Sequence, residues 1–250
     1  PHRTATLAEP PPILPPTPPP IVLPKTVPQG YSRQPTFRIH PETQMALAHV
    51  PAGEFKYGPE RRSARTDAYW IGRYQVTNAE YKRFLDANPH HPVPHVAADW
   101  AASYNWDTQR RDYPRGRATH PVVLVRWSDA KAFCQWAGMR LATEEEWEKA
   151  ARGPDGRNYP WGDAPGKNKA NFDGSGSQWS NRQTSPVGSF APNAFGLHDM
   201  IGNVWEWVQD TWHDSYLGAP DDGRAWEEGS DSQVVRGGSW INNSDNCRAA

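Results

Sequence analysis

Short runs in which apolar and polar residues alternate follow residue 44, and this period of two predicts strands. A Pro-Ala-Gly sequence at 51–53 separates two of the runs and supplies the turn between them. A third alternating run follows shortly afterwards. The apolar positions of the three runs are Leu47, Val50, Phe55, Tyr57, Tyr69, Ile71 and Tyr74.

The spacing then changes to that of helices, and two of them begin with the same cap. Thr77 is followed three residues later by Glu80, and Thr143 by Glu146. In this arrangement each side chain accepts a hydrogen bond from the backbone N–H of the other residue. We expect the first helix to end at Asn88-Pro89, because proline cannot continue it.

The segment between these helices predicts a strand followed by another helix. Residues 121–127 are a short apolar run, and Ser128 is expected to cap a helix over residues 129–137. Gly138 then supplies the left-handed end. Cys134 lies on the apolar stripe of this helix, which favours a core residue over a reactive thiol.

Two long segments, residues 89–119 and 164–195, lack periodicity and predict loops. The first is rich in histidine and aromatic residues. Since the histidines do not have the spacing of metal ligands on a regular element, we expect the loop to be packed by its own rings. Loops of this length in a compact domain need something that holds them in place.

Residues 196–212 combine three tryptophans with several acidic and amide side chains. The apolar area of Trp205, Trp207 and Trp212 predicts that the segment is buried. Carboxylates that are buried with it require a cation or hydrogen-bond donors to offset the loss of water. The stretch is therefore a candidate metal site.

Hard oxygen ligands beside a tight glycine turn are what Ca²⁺ prefers. Two carboxylates and two backbone carbonyls could surround one structural ion; they belong to Asp199, Gly202, Val204 and Glu206. Alternatively, Asp199 caps a turn and Glu206 pairs with an arginine. Arg236, in a strand predicted at 234–240, is expected to pair in the core with Glu206 or Asp210, or to reach a ligand.

Composition limits the class of protein and its partners. The length of 250 residues fits one domain at 45–250 behind a proline-rich tether at 1–44, which is suited to carry an upstream domain. The net charge of −1 gives no general attraction for nucleic acid, and we expect no membrane insertion since no run of about 18 apolar residues occurs. Two cysteines are too few for a disulfide framework, which slightly favours the cytoplasm.

Several longer motifs occur in a fixed order along the chain. They are Val-Thr-Asn-Ala-Glu-Tyr at 76–81, Trp-Ala-Gly-Met-Arg-Leu at 136–141, Tyr-Pro-Trp-Gly-Asp at 159–163, Gly-Asn-Val-Trp-Glu-Trp at 202–207 and Val-Val-Arg-Gly-Gly-Ser-Trp at 234–240. Over residues 47–250 the chain resembles the formylglycine-generating enzyme (sulfatase-modifying factor) family. The resemblance implies an α+β fold, the formylglycine-generating-enzyme-like variant of the C-type-lectin fold, with long loops.

The resemblance also bears on calcium. The family's second calcium site is matched at both side-chain positions, Asp199 and Glu206. For its first site, Asn171 and the carbonyl of Phe172 match two ligands, but Trp179 stands where the family has an aspartate. Unless Asp173 substitutes for that aspartate, we expect one structural calcium, at the second site.

The family's oxidase uses a copper-binding pair of cysteines just after Gly-Gly-Ser. Ser239 matches the serine, Asn242 stands at the first cysteine, and Cys247 falls at the second if no gap is allowed. One thiol does not make the sulfur site that Cu(I) prefers. We therefore expect no copper and no catalytic residues for this oxidation.

The segment that replaces the cysteine pair is rich in asparagine. It resembles the start of the variable region in variable proteins of diversity-generating retroelements. Those proteins have the same fold, and the retroelement's reverse transcriptase rewrites adenines in the sequence that encodes them. The expected variable, ligand-binding surface is Trp240, Ile241, Asn242, Asn243, Ser244, Asp245 and Asn246. The alternative is a turn in which asparagines bond their own backbone. Family members continue past residue 250, so the C-terminal end of the domain is expected to be incomplete.

Together these features favour a non-catalytic ligand-binding or receptor domain of bacterial type, diversified by a retroelement. Its partner is expected to be an unknown protein or another macromolecule. The alternatives are a formylglycine-generating-type oxidase or a related metal-dependent enzyme, and a purely structural module.

Overall fold

The computed structural model describes residues 35–153, 156–220 and 222–249. Residues 1–34 of the predicted tether lie outside these ranges. In the described part the regular elements are few and short, and no helix is both long and apolar enough to cross a bilayer.

The strands of the described part form three small antiparallel sheets. They are β1 (Phe37–Ile39), β2 (Ala46–Val50), β3 (Gly53–Tyr57), β4 (Arg62–Thr66), β5 (Tyr69–Gly72), β6 (Glu206–Thr211) and β7 (Gln233–Arg236). One sheet has the order β1-β2-β5, another pairs β3 with β4, and the third pairs β6 with β7. Since β1 pairs with β2, the folded part includes residues before the predicted start at 45.

The predicted strand, turn, strand pattern is present at its predicted place. The two strands that the turn joins do not pair with each other, because β2 lies between β1 and β5 while β3 pairs with β4. Strand β3 alternates buried and more exposed side chains, whereas β2 is buried on both faces. The sequence pattern thus identified the two strands but not their partners.

The helices are α1 (Asn78–Ala87), α2 (Trp127–Trp136) and α3 (Glu144–Arg152), with a 3₁₀ turn at Asp99–Ala101. Both predicted capping boxes are confirmed. The backbone N–H of Glu80 donates to the Thr77 hydroxyl over 3.2 Å, and the backbone N–H of Thr77 donates to the Glu80 carboxylate over 2.8 Å. Thr143 and Glu146 exchange the same two bonds at the start of α3.

The predicted start of α2 is wrong. Residues 121–127 form no strand, and the helix begins at Trp127 with Arg126, not Ser128, as its N-cap. The reason is that the Asp129 carboxylate accepts a 2.8 Å bond from the backbone N–H of Arg126, which moves the cap two residues earlier. Gly138 follows in the left-handed conformation at φ 65°, as predicted.

Strand β2 separates two apolar clusters. Because successive side chains of a strand point to opposite faces, Ala48 and Val50 pack into one cluster and Leu47 into the other. The first, which we call the α3 cluster, surrounds Trp147. The second, the α1–α2 cluster, is built from rings of both helices and of the 89–119 loop; its buried members are Met45, Leu47, Tyr81, Phe84, Leu85, Trp106 and Phe133.

Helix α3 carries buried charge into the α3 cluster. The Glu148 carboxylate is fully buried and accepts bonds from the backbone N–H of Gly58 and from Nε of Arg152, both over 2.7 Å. Arg236 of β7 donates to the other carboxylate oxygen. The predicted partners of Arg236, Glu206 and Asp210, are wrong, because α3 lies between β7 and β3 and presents Glu148 and Glu144 instead.

Replacing Glu148 with alanine should destabilise the fold by about 3–5 kcal/mol, because two arginines would lose the charge that compensates their burial. Urea unfolding followed by tryptophan fluorescence measures this. Asp86→Ala removes one member of the exposed Lys82–Asp86 pair and should cost under about 0.5 kcal/mol. Equal losses in the two variants would show that the buried network contributes little.

Candidate functional site

The turn at residues 199–206 is shaped by three residues in the left-handed conformation. Asp199, Gly202 and Asn203 have φ values of 55°, 74° and 64°. A Cβ at Gly202 would lie 2.3 Å from the carbonyl oxygen of Asn171, so only glycine fits there. The turn brings three of its backbone carbonyls, those of residues 199, 202 and 204, to one side.

Four oxygen atoms of this turn converge on one nitrogen, Nε2 of Gln75. The carbonyl oxygens of Asp199, Gly202 and Val204 lie 3.2, 3.4 and 3.1 Å from it, and Oε1 of Glu206 lies at 2.9 Å. We call this set the oxygen ring. The structure therefore brings together the four residues predicted to bind calcium.

The oxygen ring uses the carbonyl, not the carboxylate, of Asp199. Oδ2 of Asp199 accepts a 2.7 Å bond from the backbone N–H of Gly188, and Oε2 of Glu206 accepts one from the Trp147 indole over 3.1 Å. Burial raises the pKa of Asp199 to about 6 and that of Glu206 to about 7. The donor set has the hard oxygens that Ca²⁺ takes, but it faces an amide nitrogen, which is not a ligand for that ion.

Sequence reasoning missed Gln75, although it directly precedes the motif at 76–81. A cavity of about 360 Å³ lies against it and against Glu206, and Trp70, Trp205 and Trp207 form part of the wall. An ion would thus have access to the oxygen ring. Within the described residues no group of three or more His, Cys, Asp or Glu side chains could hold a metal.

The residues of the family's first calcium site are engaged with protein groups. The Asn171 amide donates to the carbonyl of Gln183 over 3.0 Å and accepts from the Ser177 hydroxyl over 3.1 Å. The Phe172 carbonyl accepts from the Ser180 hydroxyl over 2.8 Å. These bonds hold the 164–195 loop, and Asp173, the remaining acidic candidate, is exposed.

The predicted burial of the tryptophans at 205–212 is wrong for two of them. Trp205 is 40% exposed and Trp212 56% exposed, while Trp207 is half-buried. The apolar anchor of the segment is Val208, which is fully buried, together with Trp147 from α3. Spacing alone did not show that Trp205 and Trp207 lie in the wall of the cavity.

The predicted variable segment, Trp240–Asn246, follows two glycines after β7 and mixes exposed with anchored positions. Ile241 is 58% exposed, and Asn243, Asp245 and Asn246 are exposed as well. Three positions are half-buried: Trp240, Asn242 and Ser244. The segment therefore presents some side chains outward and uses others to fix its backbone.

The amide of Asn242 bonds the residue that precedes the segment. Its Oδ1 accepts from the backbone N–H of Ser239 over 3.1 Å and from the Ser239 hydroxyl. Cys247 lies beneath, fully buried, with Sγ 3.7 Å from the Ser239 carbonyl oxygen and 3.8 Å from that of Asn242. Burial raises the pKa of the Cys247 thiol to about 11.

His198 lies behind the turn and is buried in its neutral form. Nδ1 lies 2.8 Å from the carbonyl oxygen of Phe190, and Nε2 lies 3.3 Å from Nη2 of Arg73. The ring stacks on Tyr74 with 4.8 Å between centroids. Burial, and then the nearby Arg73, lower the pKa of His198 to about 4, so Nδ1 donates and Nε2 accepts.

The model of the sulfatase-modifying factor enzyme 1-like domain matches residues 34–250, so the chain belongs to this family. It is 31% identical over 245 residues to the bovine formylglycine-generating enzyme, a match that covers 76% of this chain and 62% of that protein. The chain thus spans less than two thirds of that relative. It is 42% identical over 247 residues to the mouse inactive C-alpha-formylglycine-generating enzyme 2, with 80% and 76% covered.

Solved structures agree with the family assignment. PvdO from Pseudomonas aeruginosa superposes with a TM-score of 0.72 at 31% identity, over 87% of this chain and 91% of that one. Treponema denticola variable protein 1 superposes with a TM-score of 0.59 at 22% identity, over 86% and 91%. The predicted α+β fold, the formylglycine-generating-enzyme-like variant of the C-type-lectin fold, is confirmed.

Acidification should lower the free energy of unfolding, because His198 is buried in its neutral form. Its folded pKa lies below the value of about 6.5 in the unfolded chain, so the unfolded state binds more protons and the free energy of unfolding falls as pH drops from about 6.5 towards 4. Relative to pH 8, His198→Asn should remove roughly 2 kcal/mol of this loss at pH 5.

Urea unfolding of wild type and variant at several pH values, at constant ionic strength, measures this difference. Because the buried carboxylates titrate in both proteins, they cancel in it. His95→Asn removes a histidine at an exposed position and is the control. Parallel pH profiles for wild type and His198→Asn would contradict the assignment.

Proposed function

We propose that this chain is a non-catalytic ligand-binding domain whose contact surface is the Trp240–Asn246 segment. The observation that carries the proposal is the pair of residues at the positions of the family's two cysteines. Asn242, three residues after Ser239, is bonded to Ser239, and Cys247 contributes one buried thiol. The family's oxidation chemistry uses two thiols at these places. Here the same backbone supports a polar surface.

The thiol chemistry of this chain argues against oxidation. A thiolate, not a thiol, is the nucleophile and the metal ligand, and burial keeps Cys247 protonated. The sequence has one other cysteine, Cys134, and it packs against the α1–α2 cluster while Cys247 belongs to the α3 cluster. The two sulfur atoms therefore do not form a copper pair.

The backbone of the segment is fixed independently of its exposed side chains. The backbone N–H groups of Asn181 and Asp173 donate to the carbonyls of Trp240 and Asn242 over 3.0 and 2.8 Å. The Tyr159 hydroxyl donates to the carbonyl of Ser244 over 3.2 Å. Exposed positions can thus change without loss of the fold, as binding surfaces on rigid scaffolds require.

The segment also contains the asparagine turn that the sequence left open. Oδ1 of Asn243 accepts from the backbone N–H groups of Asp245 and Asn246 over 3.2 and 3.4 Å. Asn242 and Asn243 thus shape the loop, whereas Ile241 and Asp245 are available for contact. We infer that Ile241 and Asp245 make the main contacts with a macromolecular partner.

Diversification by a retroelement is the finer form of the proposal. The fold likeness to a protein named as a variable protein and the identity to one named as inactive both support a binding role for this scaffold. DNA sequencing downstream of the reading frame tests it. A reverse transcriptase with a near-identical template repeat is expected, and the absence of both would remove diversification while leaving the binding role.

A formylglycine-generating-type oxidase is the second candidate, favoured by the 31% identity to the bovine enzyme and by the retained Ser239. The two functions differ in a direct assay. Incubation of the wild-type chain with Cu(I), oxygen, a thiol reductant and a cysteine-bearing sulfatase peptide should leave the peptide mass unchanged. A mass loss that signals formylglycine would establish the oxidase.

Restoring the second thiol should create a copper site. We expect Asn242→Cys to bind Cu(I) at one ion per chain in anaerobic competition with a chromogenic chelator, because two thiolates supply the coordination that the ion prefers. Wild type and Asn243→Cys, in which the new thiol is exposed, should not compete. Tight binding by wild type would contradict the non-catalytic proposal.

A further inference from the structure

The oxygen ring contains more acceptors than one amide can fully satisfy. The NH₂ group of Gln75 has two hydrogens, and four oxygen atoms lie within 3.4 Å of its nitrogen. The two shortest distances, to Glu206 and to the Val204 carbonyl, are 2.9 and 3.1 Å. A convergence of this kind is normally centred on positive charge, which here is supplied by N–H dipoles.

A chain of hydrogen bonds fixes which end of the Gln75 amide faces the oxygen ring. The backbone N–H of Ser185 can only donate, and Oδ1 of Asn203 accepts from it over 2.8 Å. Nδ2 of Asn203 therefore points to the Ser185 carbonyl and to Gln75, over 3.2 and 3.0 Å. Since that nitrogen donates, Gln75 must present Oε1 to Asn203 and Nε2 to the ring.

Asn203 itself cannot rotate freely. It is fully buried, and its own backbone N–H donates to the Asn171 carbonyl over 2.7 Å. Reversing the Gln75 amide would set two N–H donors against each other at Asn203 and would leave Oε1 of Glu206 without its donor. Both changes leave buried polar atoms unsatisfied, which costs about 1–3 kcal/mol for each.

We propose that the Gln75 side-chain amide takes the place of the bound cation at the oxygen ring, so that the turn at 199–206 stays folded without a metal ion. The calcium predicted at these residues is thus replaced by a hydrogen-bond donor from the segment between β5 and α1. An ion in the ring would have to displace that donor. The cavity beside it leaves room for solvent, so access is not what excludes the ion.

The proposal depends on one atom, Nε2 of Gln75. Gln75→Glu exchanges the donating nitrogen for an oxygen, so that two carboxylates and three carbonyls would face one another with no donor between them. Such a site needs a cation or a proton shared by the two carboxyl groups, so the assay is run at a pH at which both are ionised. We expect the variant to melt several degrees below wild type in EDTA and to recover with millimolar CaCl₂.

Thermal unfolding in EDTA and in CaCl₂, with metal content by mass spectrometry, provides the comparison. Wild type should contain no stoichiometric calcium and should show the same melting temperature in both buffers. Gln209→Glu is a matched control, because the amide of Gln209 donates to Glu227 over 3.0 Å at an exposed position without a carbonyl ring. It should gain no response to calcium.

Two results would overturn the proposal: calcium retained by wild type with a lower melting temperature in EDTA, or a Gln75→Glu variant that is stable and indifferent to calcium. If the variant does not fold at all, Tb³⁺ luminescence of the wild-type chain still decides. Trp147, whose indole nitrogen lies 3.1 Å from Glu206, would sensitise an ion in the ring. We expect no sensitised emission from wild type, and a saturable signal would refute the substitution of amide for cation.

Discussion

Buried side-chain amides are the interaction on which this molecule depends, because long loops leave many backbone groups without a partner in a helix or sheet. Asn171 and Asn203 are fully buried, and their side-chain amides bond the backbone of Gln183 and of Ser185, respectively. Asn193 donates to the carbonyl of Ala150 over 2.7 Å and accepts from the backbone of its own turn. An amide carries both a donor and an acceptor without charge, so it can join two loops at a low cost of desolvation.

Buried charged side chains have a different role and lie in a different part of the structure. The Glu148, Arg152 and Arg236 network lies at the junction of α3 with two sheets, where helix and strands are already fixed by their own hydrogen bonds. Charged groups in this position determine which strand lies against the helix. The amides instead determine the path of the loops, and the oxygen ring belongs to them, since its single carboxylate is bonded by an amide and an indole.

These two frameworks leave the surface after Gly-Gly-Ser free for another purpose. The backbone beneath it is held by a buried thiol and by bonds to backbone carbonyls, whereas the side chains of Ile241 and Asp245 are exposed. Under the proposed function, an amide in place of a thiol at residue 242 separates binding from oxidation, because copper coordination needs two soft ligands while a binding surface needs only a stable backbone.

The sequence by itself determined the features that depend on neighbours in the chain. Thr77 with Glu80 and Thr143 with Glu146 cap their helices as predicted, since a capping box needs only residues three apart. The family motifs likewise determined the fold class. The glycine turn determined that the backbone carbonyls converge. The tertiary structure alone decided that Gln75 faces that turn from 124 to 131 residues away and that Arg236 meets Glu148 across 88 residues. No local spacing encodes such contacts, because they arise only when separate elements pack and each buried polar group must find a partner.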